Sequence, residues 1–366
     1  MAVASATAVF FIHQPETALI SCSNKGGDLM WILLPALCVA VAHIAGDNVA
    51  VVPDMASLVG PDIYITTIFA YMVFGSLIAG LSAWIGVKSG YELLVVIKRL
   101  FGCRGKKILA IAILAVCIPA SVLTGGYYCG WAIYKIIGLT PLVGMPLCLL
   151  LFSILAAGYG PELLKMSNYI SLFLVPIVIV MILTCDLNAV RSINLSADVD
   201  WLLVCALIGY NVGGMRPVLV VETTAYLTQK GYKAIFLVIL AKLFEGIITL
   251  VMAHLVLITQ IDGPLALSGV CASIFGSNAV YFFDIILFCT FMNTMAPAMM
   301  VNAKQVSILT GVSFWPALFI AALLVYLGTF ADFRMILKVM SFTGLFMAVF
   351  IIYTAYFLHK NGIKQS

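Results

Sequence analysis

The chain has 366 residues, 64% of them hydrophobic and 9% charged, with a net charge of +4 and a mean hydropathy of +1.16. A soluble domain carries roughly 25% charged residues, so this composition excludes a water-exposed globular protein, and the small net charge gives no footprint for nucleic acid. The expected fold is a single all-α membrane domain solvated by lipid.

In chain order, residues 1–30 come first. The apolar run from Ala2 to Ile12 lacks a basic flank and gives way to polar residues with Lys25 and Asp28, so a short cytoplasmic tail is expected rather than a cleavable signal. A helix needs about 20 apolar residues to cross the hydrocarbon. That ruler predicts ten spans, at 31–53, 63–86, 108–134, 141–160, 168–185, 201–228, 233–259, 281–303, 313–330 and 335–358. Residues 359–366 form a second short tail. Turn residues mark the joints, as at Leu139-Thr140-Pro141 and Asp262-Gly263-Pro264. The ten cysteines include no C-x-x-C pair and most fall in apolar runs, where a reduced thiol behaves as a small hydrophobe.

Charge orients the spans. Lys88, Lys98, Arg99, Arg104, Lys106 and Lys107 follow span 2, Lys165 follows span 4, Lys230 and Lys233 follow span 6, and Lys360 and Lys364 close the chain. The alternate loops are acidic: Asp54 and Asp62, then Asp186, Asp198 and Asp200 against Arg191, then Asp262. Basic loops stay cytoplasmic, which predicts an inner-membrane protein with both termini inside.

Two spans are interrupted. Span 1 carries Ala42-His43-Ile44-Ala45-Gly46-Asp47-Asn48 and then Pro53; span 6 carries Gly209-Tyr210-Asn211-Val212-Gly213-Gly214-Met215-Arg216-Pro217. Proline removes a backbone donor, and polar backbone freed in lipid survives only where it lines a protein cavity. Spans 1 and 6 are equivalent members if the ten divide into repeats of five, about 31–185 and 201–358. Paired interruptions of this kind point to an inverted-repeat transporter with a midplane site; the alternative is that the glycines serve close helix packing.

The stretch Gly86-Val87-Lys88-Ser89-Gly90-Tyr91 through Lys98-Arg99-Leu100-Phe101-Gly102, with Asn302-Ala303-Lys304-Gln305-Val306-Ser307-Ile308-Leu309-Thr310-Gly311, resembles nucleobase:cation symporters of the cytosine permease type. The resemblance implies the five-plus-five leucine-transporter fold within the amino acid–polyamine–organocation superfamily. Three departures stand beside it. The family usually has twelve helices, Ser121 stands where it carries a base-stacking tryptophan, and its acidic-and-arginine motif after helix 6 is replaced by Val220-Val221-Glu222-Thr223-Thr224.

The expected substrate wall is Asp47 and Asn48 of span 1, Ser121, Tyr127 and Tyr128 of span 3, and Tyr210, Asn211, Gly213, Gly214 and Arg216 of span 6. A charge at the bilayer centre costs at least ~2.5 kcal/mol and faces a cavity or a partner, so Asp47 and Arg216 either hold ligand or pair with each other. His43 lies one turn before Asp47 and suits proton coupling or a packing hydrogen bond. Glu222 and Lys242 fall at equal depth on consecutive helices, with Glu245 one turn beyond Lys242; they form a second ion-pair candidate. The resemblance places a cation site between helix 1 backbone, at Ala42 and Ala45, and Asn293 and Thr294 of span 8, whose oxygens suit Na⁺. Na⁺ and H⁺ are both open as coupling ions, as are monomer and homo-oligomer.

The sequence shows no Walker motif, no H-E-x-x-H and no G-x-S-x-G, so neither an ATP-driven pump nor an enzyme is expected. A symporter of a small polar solute is the leading reading, with a nucleobase as first candidate and the bilayer as its other partner. An amino-acid transporter, a channel or a sensor on the same fold is the alternative.

Overall fold

The computed structural model describes residues 49–159, 161–171, 173–184, 205, 207–211, 216–225, 231–261 and 263–362. All the secondary structure among them is helical. In chain order, α1 is Val49–Val59. Then α2 (Asp62–Thr67), a π-helical stretch (Ile68–Gly75) and α3 (Ser76–Ser89) run on as one rod. Next, α4 (Leu93–Ser121), a second π-helical stretch (Val122–Tyr128) and α5 (Cys129–Ile137) form another. They are followed by α6 (Pro141–Ala156), α7 (Pro161–Ser171) and α8 (Leu174–Thr184). Residues 207–211 are helical and precede α9 (Arg216–Ala225) and α10 (Tyr232–Thr259). The chain ends with α11 (Ala266–Phe275), α12 (Ser277–Thr310), α13 (Phe314–Gly328) and α14 (Phe333–Asn361).

Among the described residues, five helical stretches are long and apolar enough to cross a membrane: Asp62–Ser89, Leu93–Ile137, Tyr232–Thr259, Ser277–Thr310 and Met335–Asn361. The last of them carries large apolar residues on both faces. On α14, Met340, Met347 and Ile351 are buried while Phe342, Val349 and Ile352 are exposed. A helix apolar all round needs lipid on its outer side. Hydroxyls on these helices turn back onto their own backbone, as Ser82 does to the Ile78 carbonyl at 2.7 Å and Ser341 to the Leu337 carbonyl at 2.7 Å. Such bonds satisfy a polar group without a partner helix.

Glycines set the closest crossings. A Cβ on Gly86 would fall on Thr224 Oγ1 and 2.6 Å from the Val221 carbonyl, so α3 and α9 meet backbone to backbone. The motif Gly86-Val87-Lys88-Ser89-Gly90 therefore closes a helix against its neighbour; Gly90, at φ 68, donates its N–H to the Gly86 carbonyl at 2.8 Å. A Cβ on Gly344 of α14 would fall on the backbone of Gly209. Gly209, Tyr210 and Asn211 are helical. Of the stretch 209–217 expected to interrupt span 6, the first three residues are therefore helical, and Gly209 serves a crossing. Gly213 and Gly214 lie outside the described residues.

Three further expectations change. Helix α1 passes through Pro53 and continues to Val59. Asp54 and Asp62, expected as loop charges, are buried, at 8% and 4% exposure. The segment after Asp262-Gly263-Pro264, expected as a loop, contains α11. The ten-span count, the inverted repeat and the acidic loop at 186–200 involve residues outside those described.

Candidate functional site

Among the described residues, polar side chains gather inside the bundle at four places. The first lies where the π-helical stretch 68–75 meets residues 207–211 and α10. A π-turn shifts the hydrogen-bond ladder by one residue, and such bulges are frequent at functional sites. Here the Ala70 carbonyl accepts a hydrogen bond from Asn211 Nδ2. Lys242 Nζ donates to Asn211 Oδ1 at 2.6 Å and to Glu245 Oε2 at 2.8 Å, and lies 5.2 Å from the centre of the Tyr71 ring. Lys242 is 7% exposed and Glu245 3%. Gly75 makes room for them: a Cβ there would stand 2.7 Å from Asn211 Nδ2 and 2.9 Å from Lys242 Cε. Three backbone segments are thus joined through the Asn211 amide and the Lys242 ammonium.

The second place joins α12 to α4. Asn302 Nδ2 donates to Ser121 Oγ at 3.0 Å, and both residues are buried. Ser121 is therefore tied to a neighbouring helix, in a position where the resembling family offers an aromatic ring. The third place joins α12 to α7. The Ser167 hydroxyl, with one proton to give, lies 2.6 Å from the Cys289 carbonyl and 2.8 Å from Asn293 Oδ1. Asn293 Nδ2 donates to Ser171 Oγ at 2.8 Å. Both ends of the Asn293 amide are thus engaged by α7, and Thr294 Oγ1 reaches back to the Thr290 carbonyl at 3.4 Å.

The fourth place joins the middle of α1 to the start of α11. The Asp54 carboxylate accepts the Leu265 N–H at 3.0 Å on one oxygen and the Ala266 N–H at 2.8 Å on the other, which closes the N-terminus of α11 with a negative charge. Leu265 adopts φ 59 to present its amide, a left-handed conformation that costs a non-glycine residue about 1–2 kcal/mol. Lys135 of α5 lies within electrostatic reach of Asp54 and of buried Asp284 on α12. Tyr64 and His254 meet at 2.6 Å, hydroxyl oxygen to Nδ1.

Of the residues expected from sequence, Asn211, Lys242 and Glu245 come together. Tyr210 is buried, and so is Tyr128, whose ring stacks on Phe291 and meets Tyr127 edge-on with centroids 5.2 Å apart. Ala42, Ala45, His43, Asp47, Gly213 and Gly214 lie outside the described residues, as does Asn48. The side chains of Arg216 and Glu222 do too, although their backbone belongs to α9. Sequence reasoning missed Asp54, Ser167, Ser171 and Asn302. A signal existed for the last: Asn293 and Asn302 are amides in an otherwise apolar span, where a polar side chain needs a partner.

No protein-family model matches the chain, and no curated protein does. Solved structures do. The chain is similar to Mhp1, a nucleobase-cation-symport-1 family transporter, in a closed conformation with bromovinylhydantoin bound, at a TM-score of 0.60 and 13% identity over 88% of this chain and 74% of that one. Inward-facing Mhp1 gives 0.59 and 12%, over 88% and 73%. A manganese transporter of Eremococcus coleocola, in complex with an aromatic bis-isothiourea substituted compound, gives 0.57 and 13%, over 97% and 86%. At such identities the likeness is one of fold. The chain has the helical, leucine-transporter-like fold of these membrane transporters, which are not enzymes, and the resemblance seen in its motifs holds at that level.

Proposed function

We propose that the chain is a secondary transporter that carries a small polar solute across the cytoplasmic membrane by alternating access, coupled to Na⁺ or H⁺. The observation that carries this reading is the buried cluster of Lys242, Glu245 and Asn211, within a bundle whose fold is that of transporters. Charge inside a membrane protein is costly and marks a solute or ion path. The described interior offers an ammonium, amides and hydroxyls, groups that suit a neutral solute rich in donors and acceptors. A nucleobase is the first candidate, supported by the motif resemblance and by the hydantoin held by Mhp1; an amino acid is the alternative.

In this reading the solute sits at mid-membrane between Asp47 and Asn48 of span 1, Tyr127 of span 3 and Arg216 of span 6. Helix α9 begins at Arg216 with Pro217 next, and its positive N-terminal end favours a carbonyl-rich part of the ligand. Asp47 favours a part bearing donors, and Na⁺ would take carbonyl oxygens of Ala42 and Ala45 with Thr294. Both termini are cytoplasmic. The test is uptake into proteoliposomes of labelled nucleobases and amino acids under imposed Na⁺ or proton gradients. Gradient-driven, saturable accumulation is expected, and Arg216→Ala should weaken binding about tenfold, or roughly 1.4 kcal/mol. Flux that neither saturates nor follows a gradient would replace the transporter with a channel.

A further inference from the structure

Residues 88–107 hold six cations, Lys88, Lys98, Arg99, Arg104, Lys106 and Lys107, and one carboxylate, Glu92. That carboxylate is engaged by Lys304 at 2.8 Å, so the segment supplies no other acidic group to its own six cations. The segment is also shaped. Leu93, Leu94, Val96 and Ile97 bury one face of the first part of α4, while Lys98 and Arg99 are exposed on the other. The Arg99 guanidinium lies 4.0 Å over the Tyr91 ring, which fixes its direction. At Gly102 the backbone leaves the helix (φ 73, ψ −170) and resumes along a new direction.

The helix beyond Gly102 distinguishes a lipid site from a merely basic loop. Arg104, Lys107, Ile108 and Ile111 stand at spacings of three, four and seven, so they share one face of the helix. All four are exposed, the isoleucines by 54% and 56%. The strip therefore reads cation, cation, apolar, apolar over about 10 Å at 1.5 Å per residue. A nucleic acid or an acidic protein would meet the cations and leave the isoleucines in water. A phospholipid meets both parts.

We propose that this strip binds an anionic phospholipid, the headgroup phosphate between Arg104 and Lys107 and an acyl chain along Ile108 and Ile111, with Lys98 and Arg99 facing the adjoining headgroup layer. The inference needs the chain to span a bilayer but does not depend on what it transports. The test uses the full chain in neutral detergent, with phosphatidylglycerol and phosphatidylcholine of matched acyl chains as probes and bound lipid counted by native mass spectrometry. The wild-type protein should prefer phosphatidylglycerol, by roughly fivefold for each basic side chain at an anionic surface. Arg104→Gln/Lys107→Gln should lose that preference, and Arg104→Lys/Lys107→Arg should keep it. Excess inorganic phosphate should not displace the bound lipid. Equal retention of the two lipids by the wild-type protein would overturn the proposal, even if the glutamine variant fails to fold. So would an unchanged preference in a folded glutamine variant, or full displacement by phosphate, which would indicate an anion site without a place for the acyl chain.

Discussion

Lys242→Met is the most informative single substitution. It keeps length and volume but removes a buried charge that serves Glu245 at 2.8 Å and Asn211 at 2.6 Å. Breaking a buried ion pair from one side costs about 3–5 kcal/mol, because the remaining charge is uncompensated. The Asn211 Oδ1 would also lose the ammonium, and a buried acceptor left without a donor costs about 1–3 kcal/mol. A loss of about 4–6 kcal/mol is expected, with allowance for repacking and water entry. The double variant Lys242→Met/Glu245→Leu removes both charges and should recover most of that loss, since well-packed apolar replacements of buried pairs are often neutral. Reversible unfolding in mixed micelles would give the cycle, and uptake would be followed on the same preparations. A double variant that is stable yet inactive assigns the ion pair to transport, whereas a stable and active one assigns it to architecture. If the single substitution costs less than about 1 kcal/mol, or the double variant is no more stable than the single, then Lys242 and Glu245 do not form a buried ion pair.

Two further outcomes rest on close contacts. Gly86→Ala places a Cβ against Thr224 Oγ1 and the Val221 carbonyl and should lower stability by about 1–3 kcal/mol through overpacking; an unchanged unfolding midpoint would mean that α3 and α9 can separate freely. Asp54→Asn leaves one carbonyl oxygen where two carboxylate oxygens serve Leu265 and Ala266. The amides of these two residues should then exchange faster in hydrogen-exchange mass spectrometry, while those buried in α12 should not, and an unchanged rate at Leu265 and Ala266 would refute the role of Asp54 as their acceptor.

The candidate site was legible in part, and unevenly. Equal depth pairs Lys242 first with Glu222, whose side chain lies outside the described residues. That Glu245 could share Lys242 was legible from spacing alone, because residues three apart on a helix face each other whatever surrounds them. Asn211 could be named but not its role. Its neighbours in the chain assign it to a broken backbone around a solute, whereas its amide bridges the Ala70 carbonyl and the Lys242 ammonium. Ser121 and Asn293 were named through the resemblance, yet their partners Asn302, Ser167 and Ser171 depend on which helices touch. The glycines of span 6 illustrate the same limit. One residue type marks either a break or a crossing, and Gly209 is a crossing because Gly344 meets it.

By itself the amino-acid sequence determined that the chain is helical and lies in lipid, and roughly where most of its long helices run. These properties depend on local quantities: the length of apolar runs against the bilayer thickness and the backbone chemistry of glycine and proline at the joints. Tertiary structure alone decided the fate of the charges between those runs. Asp54 reads as a loop residue after a proline, and its chain neighbours give no other hint. It is buried because the amides of Leu265 and Ala266, 211 and 212 residues away, come round to its two oxygens. A buried carboxylate is tolerable only with such donors, and no local pattern encodes donors that distant.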